Sequence, residues 1–220
     1  MAGFTGASPI VTDGLVFAVD AANYESYSGS GTTWKNLAGS NNGTLSGTTH
    51  GPANGGVFVF DGTDDIIQFS NEIINPNSDF TFESWIRPSD VTLTGTIVSD
   101  KDNMGSLQIR FWESGATIQI VDSYQVNVGA FTNFTAINNT WYNVTVVRSS
   151  NTYSLYIDGV YKSNFTNSNV YSRGPKTIGA NRDISEEFMG DISIVKFYDR
   201  VLSSTEITQN YNALKSRFGL

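Results

Sequence analysis

Apolar and polar residues alternate with a period of two along most of this chain, and short turns interrupt the pattern. Leu15, Phe17 and Val19 alternate in the first such segment, and Ile118 and Ile120 continue the pattern far along the chain. Successive side chains of a β-strand point to opposite faces, so this period indicates half-buried strands. About a dozen such segments predict a β-sandwich or a β-barrel.

The composition agrees with a fold built from strands and tight turns. The chain is rich in Ser, Thr and Asn, contains 21 glycines, and has 13% aromatic but only 15% charged residues. Thr and aromatic residues favour strands, while Gly and Asn favour turns. With 220 residues and no cysteine, the chain can bury a large core without disulfides, and thiolate metal sites are excluded. The even spacing of the predicted strands indicates a single domain.

Two Asp-Gly pairs predict β-hairpins. One pair follows Val57–Phe60 and precedes Ile66–Phe69, and the other lies between a strand at Tyr153–Asp158 and a strand at Val160–Phe165. The last strand is predicted at Phe188–Tyr198. Strict alternation would place Ile192, Ile194 and Lys196 on one face of it, and Asp191, Ser193, Val195 and Phe197 on the other.

The C-terminal segment carries the only clear helix pattern. Ser203 and Glu206 have the spacing of a capping box, in which each satisfies a backbone N–H of the other. The apolar residues that follow recur at steps of four, three and four: Ile207, Tyr211, Leu214 and Phe218. This stripe has two interpretations. It packs on the edge of its own sandwich, or it makes these four residues contacts to a neighbouring subunit.

Charge and hydropathy exclude several function classes. The net charge is −8 and the pI is near 4.5, so the chain lacks the basic surface that nucleic-acid binding requires. No segment approaches the roughly 20 apolar residues of a membrane-spanning helix, so membrane insertion is not expected. Met1–Ile10 has neither the basic start nor the apolar stretch of a secretory signal.

Several motifs, in order along residues 14–207, resemble laminin-G-like, concanavalin A-like jelly-roll domains. They are the segments Gly14–Asn23, Trp34–Leu37, Asn41–Leu45, Phe60–Asp65, Phe80–Pro88, Trp141–Arg148, Leu155–Gly159 and Phe197–Ser203. The resemblance implies an all-β, concanavalin A-like (laminin-G-like) jelly-roll β-sandwich with one short C-terminal α-helix. We expect an N-terminal arm at 1–13, the sandwich at 14–202 and a helix packed on it at 203–220. This fold serves lectins, glycan hydrolases, adhesins and viral proteins, so it does not decide function.

The same motifs, together with the segment Asn210–Lys215, are similar in sequence style to those of structural proteins of tailed phages, especially marine ones. This similarity implies a non-catalytic structural or adhesion module of a virion, such as a capsid decoration or a tail or fibre component. Its partners would be other virion proteins, further copies of the chain and cell-surface glycans. Such a protein is made in the host cytoplasm and needs no signal peptide. Its N-terminal arm would either stay loose or add to the sheet edge of a neighbour.

The sequence lacks the residue patterns of catalysis in this fold. Glycan-cleaving relatives carry alternate acids on one strand, which brings two carboxylates to one bond. The nearest cluster here is Asp183, Glu186 and Glu187, which we interpret as a solvated acidic loop. His50 is the only histidine, and no Gly-x-Ser-x-Gly segment exists to present a serine. We therefore predict that the chain is not an enzyme.

A structural calcium ion is the one cofactor that the resemblance implies, because many laminin-G-like proteins hold Ca²⁺. Asp20 and Asp191 lie on terminal strands that run side by side in this fold, and they are the candidate ligands. Relatives often have an acidic pair where this chain has Ser193 and Ile194, so the two aspartates would otherwise cap backbone amides or face water. With calcium, the alternative function is a free-standing, Ca²⁺-dependent carbohydrate-binding lectin.

Two aromatic residues outside the alternating core pattern are candidates for glycan contact. β-Sandwich lectins bind sugars against flat rings surrounded by polar side chains. Trp112 and Tyr124 fit this description, and a core or subunit contact is the alternative use of these rings. Trp34 is instead predicted to pack under the sandwich edge, beside Leu37.

Overall fold

The computed structural model is a β-sandwich of two eight-stranded antiparallel sheets with one C-terminal α-helix. It describes residues 8–100, 105–112, 116–122, 127–181 and 186–220. None of the helices in these ranges is both long and apolar enough to cross a membrane. The predicted all-β fold with one C-terminal helix is confirmed.

The first sheet contains the first and the last strand of the chain. In chain order its strands are β1 (Leu15–Asp20), β4 (Thr49–Gly51), β5 (Val57–Asp61), β7 (Phe80–Pro88), β12 (Tyr142–Ser149), β13 (Thr152–Ile157), β14 (Val160–Thr166) and β16 (Met189–Tyr198). They lie in the order β14-β13-β12-β7-β16-β5-β4, and β1 pairs with the second half of β16.

The second sheet packs against the first. Its strands are β2 (Thr33–Trp34), β3 (Gly43–Ser46), β6 (Ile66–Phe69), β8 (Gly95–Ser99), β9 (Leu107–Trp112), β10 (Thr117–Asp122), β11 (Asn127–Ala130) and β15 (Thr177–Ile178). Their order is β11-β10-β9-β8-β15-β6-β3-β2. Short 3₁₀ turns lie at Ala53–Gly55 and Lys215–Phe218.

The main core fills the space between the sheets, as strand alternation requires. On β7, Phe80, Phe82 and Ile86 face this core, and Trp85 points to the opposite face of the sheet. Trp34 is fully buried in the same core, so its predicted burial is confirmed, whereas Leu37 is 44% exposed and lies outside this core. Burial of this apolar area is the largest stabilising contribution to such a fold.

One of the two predicted hairpins is wrong. β5 pairs with β16 in the first sheet, whereas β6 pairs with β3 and β15 in the second, so the chain crosses between sheets at residues 62–65. The buried carboxylate of Asp65 accepts a hydrogen bond from the backbone N–H of Asp61 at 2.6 Å and holds this corner. A period of two shows that a strand is half-buried, but not on which sheet it lies.

The other predicted hairpin is confirmed. β13 and β14 pair across a two-residue turn in which Asp158 and Gly159 have φ values of 54° and 76°. Positive φ at both positions is the type I′ geometry that two-residue hairpins favour, and Asp and Gly tolerate it.

The predicted faces of the last strand are also corrected. β16 shifts register against β7 between Ile192 and Ile194, which is a β-bulge. Ile192, Val195 and Phe197 therefore share the main core, while Ile194 lies on the outer face. One extra residue at a bulge reverses the alternation that strict periodicity assumes.

The C-terminal helix α1 (Ser204–Leu214) covers the outer face of the first sheet. Both hydrogen bonds of the predicted capping box between Ser203 and Glu206 are present. Phe218, in the 3₁₀ turn after the helix, stacks on Trp85 with ring centroids 4.0 Å apart. The helix thus packs on its own sandwich.

This packing favours the first interpretation of the helix stripe, while a contact to a neighbouring subunit stays a prediction for the partly exposed Tyr211 and Leu214. Ile207 and Phe218 are buried in their own chain, Tyr211 stacks on Trp85, and Leu214 packs against the same outer cluster. The four residues are therefore contacts within the chain.

The described part of the N-terminal arm also contacts its own helix. The carbonyl of Pro9 accepts a hydrogen bond from Gln209 Nε2 at 2.7 Å. The carbonyl of Val11 accepts one from the hydroxyl of Tyr198 at 3.0 Å. From Pro9 onward, the arm is therefore tied to its own domain.

Candidate functional site

Strand alternation presents polar side chains on the outer face of the second sheet. On β9, Leu107, Ile109 and Phe111 enter the core, so the intervening residues face outward. We call six residues on and beside this face the polar platform: Thr96, Gln108, Arg110, Trp112, Gln119 and Glu186. Glu186 comes from the segment before β16, and the others come from β8, β9 and β10.

Gln108 connects one side of the platform. Its Nε2 donates to the hydroxyl of Thr96 at 2.8 Å and to Oε2 of Glu186 at 2.7 Å. Gln108 and Thr96 are buried, and Glu186 is 11% exposed at its side chain. Buried amides with satisfied hydrogen bonds have fixed orientations, so this part of the face is rigid.

Arg110 occupies the centre of the platform. Its Nη1 donates to Oε1 of Glu186 at 2.6 Å, and its Nε and Nη2 donate to Oε1 of Gln119 at 3.2 and 3.1 Å. The guanidinium lies 4.6 Å from the ring centroid of Trp112. A cation over an indole ring is a favourable contact, so Arg110 holds the ring in place.

Trp112 and Glu186 are the members of the platform that reach solvent. Both are partly exposed, whereas Gln108, Arg110 and Gln119 are each at most 3% exposed. The charge of Arg110 is balanced by Glu186. The described residues therefore form a fixed polar network around one aromatic ring, and the Arg110–Glu186 pair within it carries no net charge.

The sequence analysis identified Trp112 as a candidate but did not identify the polar residues that hold it in place. Tyr124, the other predicted glycan contact, lies outside the described residues. Glu186 is not the solvated acid that we predicted, because it is paired with an arginine 76 positions away. No pattern in the sequence around Glu186 predicts an ion pair with a residue so distant in the chain. The outward positions of Gln108 and Arg110 were visible in the alternation of β9.

His50 is another residue whose environment the sequence did not predict. It lies on β4, with its ring 4.9 Å from that of Tyr27 and its Nε2 2.9 Å from the carbonyl of Ala21. Its side chain is exposed, but it lies on a strand and contacts Tyr27 rather than standing free on a loop.

The two predicted calcium ligands each have an arginine partner. Asp20 accepts two hydrogen bonds from Nη1 of Arg217, and its Oδ1 also caps the N–H of Ala22. Asp191 is paired with Arg87, whose Nε lies 2.7 Å from Oδ2. The neighbouring strands do bring these aspartates to one sheet, but a cation at either one would compete with a guanidinium.

A different acidic group lies at the corner between the sheets. Within the described ranges, carboxylate oxygens of Asp61, Asp64 and Asp65 lie within 4.8 Å of one another. Burial raises the pKa of Asp65, and the charges of Asp61 and Asp64 raise it further. Burial also raises the pKa of Glu187 nearby. Exposed acidic groups commonly occur without an ion, so this grouping alone identifies no metal site.

Comparison with protein families places the fold. Residues 61–208 match a laminin-G family described as the concanavalin A-like lectin/glucanases superfamily. No curated protein matches the chain.

Solved structures similar to the chain include carbohydrate-active and binding proteins. Domain 4 of AbnA, a GH43 extracellular arabinanase from Geobacillus stearothermophilus, in complex with arabinotriose, has a TM-score of 0.68 at 17% identity, covering 90% of this chain and 98% of that domain. The binding domain of Paraclostridial Mosquitocidal Protein 1 has a TM-score of 0.65 at 20% identity, covering 91% of this chain and 52% of that one.

A sialidase from Trypanosoma rangeli, in complex with 2,3-difluorosialic acid, has a TM-score of 0.72 at 14% identity. The similarity covers 96% of this chain and 35% of the sialidase, so the chain spans about a third of that enzyme. At these identities, the similarities establish the fold.

Proposed function

The chain belongs to the concanavalin A-like lectin/glucanases superfamily, and on this premise we propose that it is a non-catalytic carbohydrate-binding module. The contact surface is the outer face of the second sheet around Trp112. The observation that carries this proposal is the ring of Trp112, held by Arg110 at 4.6 Å within the polar platform. A similar domain of an arabinanase was solved with arabinotriose, which supports the same class of ligand.

The charge balance of the platform favours an uncharged sugar. Glu186 pairs with Arg110, so the described residues of the polar platform leave no unpaired cation for an acidic sugar. The ring of Trp112 would contact the C–H face of a sugar, and the buried polar residues of the platform hold this ring in place. We therefore propose a neutral oligosaccharide as the ligand.

The hydrogen bonds that Glu186 accepts favour a binding role over hydrolysis. Glycosidases need one carboxyl group to protonate the leaving group and a second carboxylate about 5–9.5 Å away. Glu186 already accepts hydrogen bonds from Arg110 and Gln108. Both of its carboxylate oxygens are therefore engaged by side chains of the protein.

A glycan array of neutral plant, bacterial and algal oligosaccharides, probed with the purified chain, tests this function. We expect binding to a restricted set of neutral glycans and no release of reducing sugar from the bound ones. Absence of binding to every glycan at millimolar concentration would remove the proposal. Release of reducing sugar would show an enzyme instead.

The setting that we propose is the surface of a phage particle, where the chain serves as a capsid decoration or a tail or fibre component. The support is the similarity in style of its motifs to tailed-phage structural proteins. In this setting the partners are other virion proteins and further copies of the chain. Antibodies against the purified chain would label intact particles in electron micrographs, and labelling confined to soluble lysate would favour a free-standing lectin.

A further inference from the structure

A buried ion pair lies on the outer face of the first sheet, beneath α1. Lys196 on β16 is 2% exposed and Glu83 on β7 is 1% exposed. Lys196 Nζ lies 2.7 Å from Oε1 of Glu83, its neighbour across the two strands. An ammonium has three donors, and among the described residues Nζ meets no further hydrogen-bond acceptor. Burial of such donors is costly.

Asn210 of α1 completes the cluster. It is fully buried, and its Nδ2 donates to Oε2 of Glu83 at 2.8 Å. Its Oδ1 accepts a hydrogen bond from the backbone N–H of Val11 at 2.8 Å. One carboxyl group thus has the amine of Lys196 on one oxygen and the amide nitrogen of Asn210 on the other, while a backbone N–H polarises the amide carbonyl.

We propose that Lys196 and Asn210 form an intramolecular isopeptide bond, with Glu83 as the proton carrier. Oε1 of Glu83 takes a proton from the ammonium, and the neutral amine attacks Cγ of Asn210. The N–H of Val11 stabilises the negative charge that develops on Oδ1. The bond from Cγ to Nδ2 then breaks, Nδ2 receives the second proton of the amine and leaves as ammonia, and Glu83 keeps the first proton.

The reaction balances and relieves the buried charges. Ammonium, carboxylate and amide become a secondary amide, a carboxylic acid and ammonia, with no oxidant or cofactor. The net charge of the cluster is zero before and after, but both separated charges disappear. Buried charges are far more costly than a neutral, hydrogen-bonded amide. The product would join β16 covalently to the C-terminal helix.

The intact mass of the full chain, measured under denaturing conditions, tests this proposal. We expect a deficit of about 17 Da, the mass of one ammonia, and a tryptic peptide that joins Lys196 to Asn210. Lys196→Met, Asn210→Ala and Glu83→Gln should each restore the full mass. Asn143→Ala is the matched control and should keep the deficit, since the Asn143 side chain donates to Oε1 of Glu83 at 3.3 Å but takes no part in the proposed step.

Two outcomes would overturn the proposal. A wild-type chain of full mass would show that the cluster is an ion pair only. A deficit that persists in Lys196→Met would show a succinimide at an Asn-Gly pair, such as 42–43 or 54–55, which loses the same mass without using the lysine.

Discussion

Both carboxylate oxygens of Asp20 accept hydrogen bonds from Nη1 of Arg217, at 2.8 and 2.9 Å, across 197 positions of the chain. Arg217 also donates to the carbonyl of Asn54 and to the hydroxyl of Ser193. The end of the first strand, the last strand and the final turn of the chain therefore meet at one guanidinium. Each half of this ion pair is about one-fifth exposed, so it is only partly screened by solvent.

Replacement of Arg217 should destabilise the fold. Arg217→Met leaves Asp20 without its counter-ion and the carbonyl of Asn54 without its donor. Loss of one member of a partly buried charged pair should cost about 2 kcal/mol of unfolding free energy. Urea unfolding measures this cost. Lys35→Ala, which removes an exposed cation, is the control and should change stability by less than about 0.5 kcal/mol. Equal stability of the two variants would contradict the role of Arg217.

Calcium should have little effect on the melting temperature. Asp20 and Asp191 have guanidinium partners, so a cation would gain little by displacing them. The measurement is the melting temperature in EDTA and in millimolar CaCl₂. An increase of several degrees with calcium would contradict this expectation, because an ion that binds only the folded state stabilises it.

If calcium does raise the melting temperature, the same measurement on two aspartate variants locates the ion. Loss of the calcium effect in Asp20→Asn would place it at the strand pair that the sequence predicted. Loss of the effect in Asp64→Asn would place it at the acidic corner between the sheets.

Phe218 should contribute strongly to stability. Its ring is 5% exposed and lies parallel to Trp85, and it also contacts Trp141. Phe218→Ala should cost about 3 kcal/mol, as for other buried aromatic residues. Tryptophan fluorescence during urea unfolding measures the loss. Leu220→Ala, two residues on and 47% exposed, is the matched control with little expected change. A cost as small as that of the control would mean that the helix end does not pack on the sheet.

The ion pair at the start of the helix should make stability depend on pH. Hydrogen bonds from Arg200, and then from the backbone N–H of Ser203, lower the pKa of Glu206 to about 2. In the unfolded chain this pKa is about 4.3. The folded state therefore binds the proton less tightly, so the stabilisation is complete above that value and is lost as the pH falls towards 2.

Glu206→Gln isolates this effect. The advantage of the wild type over this variant should be present at pH 7 and should disappear by about pH 2. Its size should be at most about 1 kcal/mol, because the pair is partly exposed to solvent. An advantage that is the same at both pH values would contradict the assignment to Glu206.

The sequence predicted the elements better than their connections. The capping box at Ser203 and the Asp158-Gly159 hairpin depend on residues close in the chain, and both are confirmed. The crossing at 62–65 and the bulge after Ile192 depend on pairing between distant strands, which a local period does not record. The same limit explains why the helix stripe had two interpretations until Trp85 was seen beneath it.

The candidate site shows this limit most clearly. The alternation of β9 placed Trp112 outside the core, and its aromatic ring made it a candidate for glycan contact. The partners that fix its ring come from separate segments, since Gln119 is nine positions from Arg110 and Glu186 is 76. Charged and amide side chains are also common on solvated loops, so their presence in the sequence does not predict a network. The fold is what brings these residues together.

Calorimetric titration with a neutral oligosaccharide selected from the array tests the central claim most directly. The wild type should bind with a dissociation constant between about 10 μM and 1 mM, and Trp112→Ala should weaken binding at least tenfold. Tyr24→Ala, which removes an aromatic ring that is 74% exposed and follows β1 in the chain, should bind like the wild type. Unchanged affinity in Trp112→Ala, with the fold intact by circular dichroism, would contradict a glycan site on the outer face of the second sheet.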